Sequence, residues 1–431
     1  MIKKSMFRMG NRQTCIKSCH GYKSSCFVYR RYPLLSDNDI AKNIIITMDK
    51  YHGQAAGIFS GDECLAGKMP SQGTELCAVV EYMYSLEVLL SIFGDTFYGD
   101  RLEKIAYNAL PAFVSPDMWT HQYDQQANQV ICCETGDIND TDNRIYTNNS
   151  PRANSFGLEP QYTCCTANMH QGWPKFASHL WMRTHDSGFA AAVLAPSLIE
   201  EKIGNTTIKI ELKTDYPFCE ELNFIISIDK TIEFPLMIRI PKWAKEPTVE
   251  IKGKKTHVES NSFYSIKRSW SDTTKIKVNL PMSVNIERRY NNSITISRGP
   301  LVYSLKIGEE WKKIPPVKEK KNQKVANDYL DSEVYPTTAW NYALDINEKN
   351  PTDSITFDIK KLGNVPFSPK GAPIELKVKG RRVPNWKIIK SAAAAPPKSP
   401  VHSNESLEEL TLIPYGCTNL RVTEFPVLER G

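Results

Sequence analysis

The spacing of apolar residues divides the chain into a helical first part and a β-rich remainder. Residues 74–94 carry the strongest helical pattern, because one apolar stripe recurs at steps of three and four. The stripe consists of Val79, Met83, Leu86, Leu90 and Phe93. Thr74 is a candidate N-cap and Gly94 a candidate C-terminal stop for this helix.

Three further segments have the 3.6-residue period of amphipathic helices. They are residues 37–51, 100–113 and 168–184. Between the last two lies a long irregular segment, roughly 114–163, which is rich in Asn, Asp, Gln and Ser. A loop of that length in a compact domain is usually functional or disordered.

After residue 186 the apolar period changes from 3.6 to two, which is typical of strands. The first strand-like runs are 189–196, 206–212, 222–228, 234–241, 263–268, 275–281 and 293–305. A later group, 354–359, 373–380, 410–416 and 419–425, predicts a second β module. The pattern therefore predicts an α plus β multidomain protein with a helical domain at 1–185 and β-sandwich domains at 186–310 and 311–431.

Composition describes a soluble globular protein, with 41% hydrophobic and 24% charged residues and a net charge of +6. The dense basic run at 311–324 contains two prolines and favours a solvated linker over a nucleic-acid patch. No run reaches the roughly 18 apolar residues of a membrane helix, and the N-terminus lacks the apolar core of a signal peptide. We therefore expect no nucleic-acid or membrane partner, and a cytoplasmic location unless the true N-terminus is missing.

The chain has 11 cysteines at irregular spacing, which favours reduced thiols over a disulfide scaffold. Two of them, Cys164 and Cys165, are adjacent in "YTCCTAN", and "GTELC" places Glu75 two residues before Cys77. One carboxylate and three sulfurs could bind Zn²⁺ tetrahedrally. From spacing alone, buried structural cysteines are the favoured interpretation, and Cys132 with Cys133 forms another adjacent pair without an evident role.

Several longer fragments resemble glycoside hydrolase family 127, the β-L-arabinofuranosidase-like proteins. They are "YHGQAAGIFSGDECLAGKMPSQGTELCAVVEYMYSLE", "NSFGLEPQYTCCTANMHQGWPKF", "FPLMIRIPKWA", "SRGPLVYSL" and "LTLIPYGCTNLRVTEFP". The resemblance runs from about residue 40 to the end and implies an (α/α)6 barrel followed by β-sandwich modules. Few helices precede the glutamate loop here, so we expect a partial barrel and an N-terminally truncated chain with weak or lost activity.

The resemblance also implies roles for individual residues. It assigns zinc to Glu75, Cys77, Cys164 and Cys165, and makes Cys164 the nucleophile. The acid/base glutamate matches Glu63 in "GDECLAG", with Asp62 as its competitor.

The family's substrate histidine matches His20 in "CHGYKSS" or His52 in "YHGQ", and for His52 a surface or helix-end histidine is the alternative. Further candidates for contact with sugar hydroxyls are Trp119, His121, Tyr123 and Gln125. For Trp119 and Tyr123, ordinary core packing is the alternative.

The implied reaction is the retaining release of terminal β-L-arabinofuranosyl groups from a carbohydrate substrate. Two other functions stay open. In one, the same ligands bind zinc only to stabilise the fold; in the other, the β modules alone bind carbohydrate.

Overall fold

The computed structural model describes residues 35–62, 64–135, 151–159, 163–315 and 330–429. Helices lie before residue 180 and strands dominate after it, so the predicted mixed α plus β class is confirmed. The helices are α1 (Leu35–His52), α2 (Leu76–Phe93), α3 (Thr96–Ala106) and α4 (Thr163–Ser178). Four helices among the described residues do not by themselves show an (α/α)6 barrel.

Helix α2 is the centre of the helical part, because its apolar stripe and most other positions are buried. It ends at Gly94, whose φ of 59° is left-handed and whose N–H donates to Leu90 O, as predicted. By length and composition α2 is apolar enough to cross a membrane, but 72% of it is buried inside the protein. The prediction that Thr74 caps α2 was wrong: the Thr74 hydroxyl donates to Phe59 O instead.

Two of the predicted helices have different bounds in the structure. The pattern at 100–113 belongs to α3, which starts earlier and ends at Ala106, followed by a short 3-10 turn at Pro111–Phe113. Helix α4 was predicted to start at residue 168 and reach 184. It starts at Thr163 and ends at Ser178, because Trp181–Arg183 joins a sheet.

A two-stranded ladder links distant parts of the helical region. Strand β1 (Thr74–Glu75) pairs antiparallel with β2 (Asp124–Gln125), with Glu75 opposite Asp124. Because β1 runs directly into α2, this ladder fixes the start of α2 against the 121–125 segment.

The middle β region consists of a six-stranded and a four-stranded sheet. The four-stranded sheet contains β3 (Trp181–Arg183), β4 (Phe189–Ala191), β8 (Ile232–Ile240) and β11 (Ser262–Trp270). The six-stranded sheet contains β5 (Ser197–Ile203), β6 (Thr206–Lys213), β7 (Glu221–Ile228), β9 (Thr248–Ile251), β10 (Lys254–His257) and β12 (Thr273–Asn279). Alternation along β6 buries Ile208, Ile210 and Leu212 and turns Lys209 and Glu211, which lie between them, outward.

The last β region is built on a seven-stranded sheet. Its strands are β13 (Val284–Arg288), β14 (Ile294–Arg298), β15 (Leu301–Leu305), β18 (Tyr342–Asp345), β19 (Ile355–Ile359), β20 (Ile374–Arg382) and β23 (Leu407–Pro414). Two small ladders complete it: β16 (Glu309–Lys313) with β17 (Ser332–Pro336), and β21 (Ile388–Ile389) with β22 (Ala392–Ala393).

The strand predicted at 419–425 was wrong, because this segment divides its hydrogen bonds between a sheet and the helical region. Phe425 pairs with Ile294 of β14, and Val422 O accepts from Leu305 N–H of β15. Arg421 N–H donates to Gln129 O at 2.7 Å, and Thr423 N–H donates to Asn128 Oδ1 at 2.8 Å. Its period-two pattern reflects a buried extended segment at a domain contact.

A buried ion-pair network joins the helical region to the middle β region; we call Asp100, Glu103, Tyr216 and Arg239 the joint. Arg239 on β8 is fully buried and contacts the carboxylates of Asp100 and Glu103 on α3. The Tyr216 hydroxyl also donates to Glu103. Gly99 permits this approach, since a Cβ there would lie 2.7 Å from Arg239 Cδ.

Candidate metal centre

The starts of two helices bring Glu75, Cys77, Cys164 and Cys165 together; we call these four residues the donor cluster. Glu75 is the N-cap residue of α2 and Cys77 lies in its first turn, both buried. Cys164 and Cys165 lie in the first turn of α4, where Cys165 is buried and Cys164 is exposed. Helix N-termini favour negative charge, so both positions suit thiolate and carboxylate donors.

The spacing of the donor atoms fits one small cation. All four ligand atoms lie within 4.8 Å of one another. The sulfurs of Cys77 and Cys165 are 3.4 Å apart, and Cys164 Sγ lies 4.0 Å from Glu75 Oε1. Sulfurs bound at about 2.3 Å around a tetrahedral Zn²⁺ lie about 3.8 Å apart. The set of one carboxylate and three thiols therefore fits zinc in both chemistry and spacing.

Contacts within the donor cluster shift the pKa values of the three thiols in different directions. Hydrogen bonds from Cys165 and Cys77 lower the pKa of Cys164 to about 3. The pKa of Cys77 is raised because its thiol bonds to Cys164, and burial raises the pKa of Cys165. The exposed thiol of Cys164 is therefore the one of the three that loses its proton most readily.

The loop before α2 lies against the donor cluster. Glu75 N–H donates to Gly61 O at 3.1 Å, and Gly61 N–H donates to Gly73 O at 2.7 Å. Asp62 is buried at 3% exposure. Glu63, the predicted acid/base, lies outside the described residues, as does His20.

The histidine at the end of α1 has a structural contact in this loop. His52 Nδ1 accepts a hydrogen bond from Gly67 N–H at 3.0 Å. Burial lowers the pKa of His52, so the ring is neutral and suited to accept this bond. This is the helix-end position considered as the alternative for His52.

The four candidates for sugar contact have different environments. Trp119 is 53% exposed, so it is not a core residue, whereas Tyr123 is fully buried. Gln125 is also buried, where its amide donates to Ala109 O and accepts from the Tyr415 hydroxyl. His121 is 1% exposed, with hydrogen-bond partners at both ring nitrogens.

Trp119 belongs to a short turn that is fixed by its own hydrogen bonds. Thr120 N–H donates to Ser115 Oγ at 2.9 Å, and Trp119 N–H donates to Asp117 Oδ1 at 3.1 Å. The turn therefore holds the Trp119 backbone while its side chain faces solvent.

One residue of this site was missed by sequence reasoning. Thr166, directly after the cysteine pair, bonds to His121 and lies 3.3 Å from Leu158 O. Its only signal in the sequence is its place in "CCTAN", because a lone threonine carries no chemistry of its own.

Comparison with known proteins gives a family match for the middle β region. Residues 191–282 match the model described as "Beta-L-arabinofuranosidase, GH127 middle domain". None of the curated proteins matches the chain. The match lies within the predicted domain 186–310 and confirms the resemblance seen in the sequence.

Solved structures share the fold over nearly the whole chain. A glycoside hydrolase is 15% identical with a TM-score of 0.69, covering 98% of this chain and 68% of its own. A GH127 beta-L-arabinofuranosidase from Geobacillus stearothermophilus T6 is 16% identical with a TM-score of 0.66, covering 97% and 60%. A GH127 beta-arabinofuranosidase is 16% identical with a TM-score of 0.63, covering 96% and 60%. The chain thus spans about three fifths to two thirds of these proteins' length, and at this identity the likeness shows the fold alone.

Proposed function

This chain is a member of glycoside hydrolase family 127 by its middle domain, and from that premise we propose that it is a retaining glycosidase acting on terminal β-L-arabinofuranosyl groups. The convergence of Glu75, Cys77, Cys164 and Cys165 is the observation that carries the proposal. Three of these donors are buried and the fourth, Cys164, is exposed, so one ligand is open to a substrate. A cluster that served only to stabilise the fold would not need this opening.

In this reaction Cys164 is the nucleophile. Its sulfur attacks the anomeric carbon, the bond to the leaving oxygen breaks, and the sugar is held as a thioglycoside. Zinc bound by the donor cluster would supply a positive charge that keeps these thiols deprotonated at neutral pH. Cys77, Cys165 and Glu75 orient the sulfur of Cys164 through the contacts described above.

The acid/base in this proposal is Glu63, which protonates the leaving oxygen and then removes a proton from the attacking water. Its neighbour Asp62 is the competitor for the role. Support comes from Gly61, whose carbonyl accepts from the N–H of the metal ligand Glu75, so the chain two residues before Glu63 runs beside the donor cluster.

The side of the substrate away from the reacting bond would contact Trp119. The exposed indole is attached to a turn that is fixed by its own hydrogen bonds, and aromatic rings offer broad apolar faces to sugar rings. We also propose that the four helices are part of an (α/α)6 barrel of the family type.

Hydrolysis of an aryl β-L-arabinofuranoside by the full chain with added Zn²⁺ tests the proposal. We expect weak turnover, in line with the partial barrel, that is abolished in Cys164→Ser and retained in Cys417→Ser, which changes a buried thiol that contacts Pro366 O. Zinc binding without turnover would instead favour the non-catalytic, zinc-stabilised alternative. Turnover in Cys164→Ser equal to the parent would contradict the role of Cys164.

A further inference from the structure

The two halves of the donor cluster come from different helices, so something must hold those helices in register. Glu75 and Cys77 are carried by β1 and the start of α2, whereas Cys164 and Cys165 are carried by the start of α4. The first turn of a helix lacks intrahelical partners for its N–H groups and frays unless other groups fix it. Residues 121–125, which we call the strap, contact both helix starts.

One end of the strap holds the β1–α2 half. Strand β2 pairs with β1 so that Asp124 lies opposite Glu75. Leu76 N–H donates to Tyr123 O at 2.9 Å. The backbone on either side of Glu75 is therefore fixed by the strap.

The other end of the strap holds the α4 half through one side chain. His121 Nδ1 lies 3.0 Å from Gln122 O and Nε2 lies 3.0 Å from Thr166 Oγ1. A carbonyl can only accept, so Nδ1 donates to Gln122 O. Nε2 shares a hydrogen bond with the Thr166 hydroxyl, whose oxygen also lies 3.3 Å from Leu158 O. Thr166 directly follows Cys165 in the first turn of α4.

The backbone of His121 is fixed as well. Its N–H donates to Gly157 O at 2.9 Å, and its carbonyl accepts from Gly157 N–H at 3.0 Å. The residue is 1% exposed, so the ring is enclosed by the protein. His121 is thus held in place by the backbone, and the first turn of α4 is hydrogen-bonded to it through Thr166.

We propose that His121, acting through Thr166, is a positioning residue that sets the place of Cys164 and Cys165 relative to Glu75 and Cys77. The proposal rests on the proposed function only in taking the donor cluster as a metal site. Partners that orient metal ligands without touching the metal typically contribute about 10- to 100-fold to metal affinity.

The test is Zn²⁺ affinity of the full chain, measured by competition with a chromophoric chelator. Thr166→Val removes the hydroxyl at nearly constant volume, and we expect it to weaken zinc binding about 10- to 100-fold. Thr166→Ser restores the hydroxyl and should recover most of the affinity. His121→Gln should weaken binding similarly, and adding Thr166→Val to it should cause little further loss, because both remove one interaction.

The matched control is Thr295→Val, which removes another buried hydroxyl that donates to Thr423 O at 3.1 Å. It should leave zinc affinity unchanged. The absorption spectrum of the Co²⁺-loaded protein gives a second readout, because ligand geometry shifts its bands in Thr166→Val and not in Thr295→Val.

Equal zinc affinity and an unchanged Co²⁺ spectrum in Thr166→Val would overturn the positioning role and leave the glycosidase proposal standing. A parent chain that takes up no Zn²⁺ would overturn both. Loss of affinity in Thr166→Val with recovery in Thr166→Ser supports the positioning role whether or not hydrolysis is observed.

Discussion

Two buried groups of ionisable side chains, the donor cluster and the joint, differ in the source of their balancing charge. In the joint, the guanidinium of Arg239 lies against the carboxylates of Asp100 and Glu103, so the chain supplies both signs of charge. In the donor cluster, the charges that act on Cys77 and Cys165 come from Glu75 and the other thiols, and they raise both pKa values.

This difference separates a structural cluster from a functional one. Burying charge is costly unless a partner of opposite sign is buried with it. The joint satisfies that condition with residues of this chain, so its role is to fix α3 to β8. The donor cluster gathers groups that repel one another when ionised, which is typical of sites that bind a cation or carry out chemistry.

The largest effect on stability should come from removing the positive charge of the joint, the guanidinium of Arg239. Arg239→Met leaves the buried Glu103 and the half-buried Asp100 without their partner, and we expect a loss of about 3 to 5 kcal/mol in unfolding free energy. Urea denaturation of metal-free protein measures it. The exposed pair Arg183–Glu201 offers the control, since Glu201→Gln should change stability by less than about 1 kcal/mol. An Arg239→Met variant as stable as the parent would show that the joint needs no balancing charge.

The next largest effect concerns the donor cluster, where we expect a loss of zinc affinity with little change in stability. Cys77→Ser removes one of four ligands, and zinc affinity should fall at least about 100-fold, more than for a partner that only orients a ligand. The urea midpoint of the metal-free protein should change little, since the cluster holds no balanced charge to lose. Isothermal titration measures the affinity. Zinc binding by Cys77→Ser as tight as by the parent would remove Cys77 from the site.

A smaller effect tests whether other balanced clusters behave like the joint. Glu375 on β20 is 6% exposed and lies between lysines, including Lys306 and Lys360. Burial alone would raise its pKa, but hydrogen bonds from Lys360 and Lys306 outweigh burial and lower the pKa to about 2. Because the folded pKa is below the usual 4.5, this stabilisation is present above pH 4.5 and is lost as pH falls toward 2.

We expect the unfolding free energy of the parent to fall by about 1 to 2 kcal/mol more than that of Glu375→Gln between pH 5 and 2, after allowance for solvent screening by the half-exposed lysines. Urea denaturation at several pH values measures the difference. Parallel pH profiles for the two proteins would argue against charge balance at Glu375.

Residue spacing predicted those helices and strands whose burial depends on their own sequence alone. The apolar stripe of α2 and the alternation of β6 follow from the burial of one face, so both could be read from residue spacing. The bounds of α4 could not, because the end at Ser178 is set by the sheet that Trp181–Arg183 joins. The strand expected at 419–425 failed for the same reason: its backbone partners are divided between the sheet and a loop of the helical region, both distant in sequence.

The two charged clusters were predictable to different degrees. Cys164 and Cys165 drew attention because adjacent cysteines are unusual, and Glu75 and Cys77 because "GTELC" places a carboxylate two residues before a thiol. The family resemblance then turned this open possibility into a ligand set. Arg239 gave no signal, since one arginine among apolar strand residues reads as an ordinary outward-facing position. His121 was predicted as a sugar contact, and only the tertiary structure shows that its ring Nε2 is hydrogen-bonded to Thr166.

The bonds between the end of the chain and the strap region bear on when the site can form during synthesis. The Arg421 guanidinium donates to Gln126 O across 295 positions of sequence, and Tyr415 donates to Gln125 in the strap. Contacts this distant in sequence form late, since the ribosome must first release the residues that make them. A nascent chain therefore holds all four donors before the residues that fix the strap from the C-terminal side have been made.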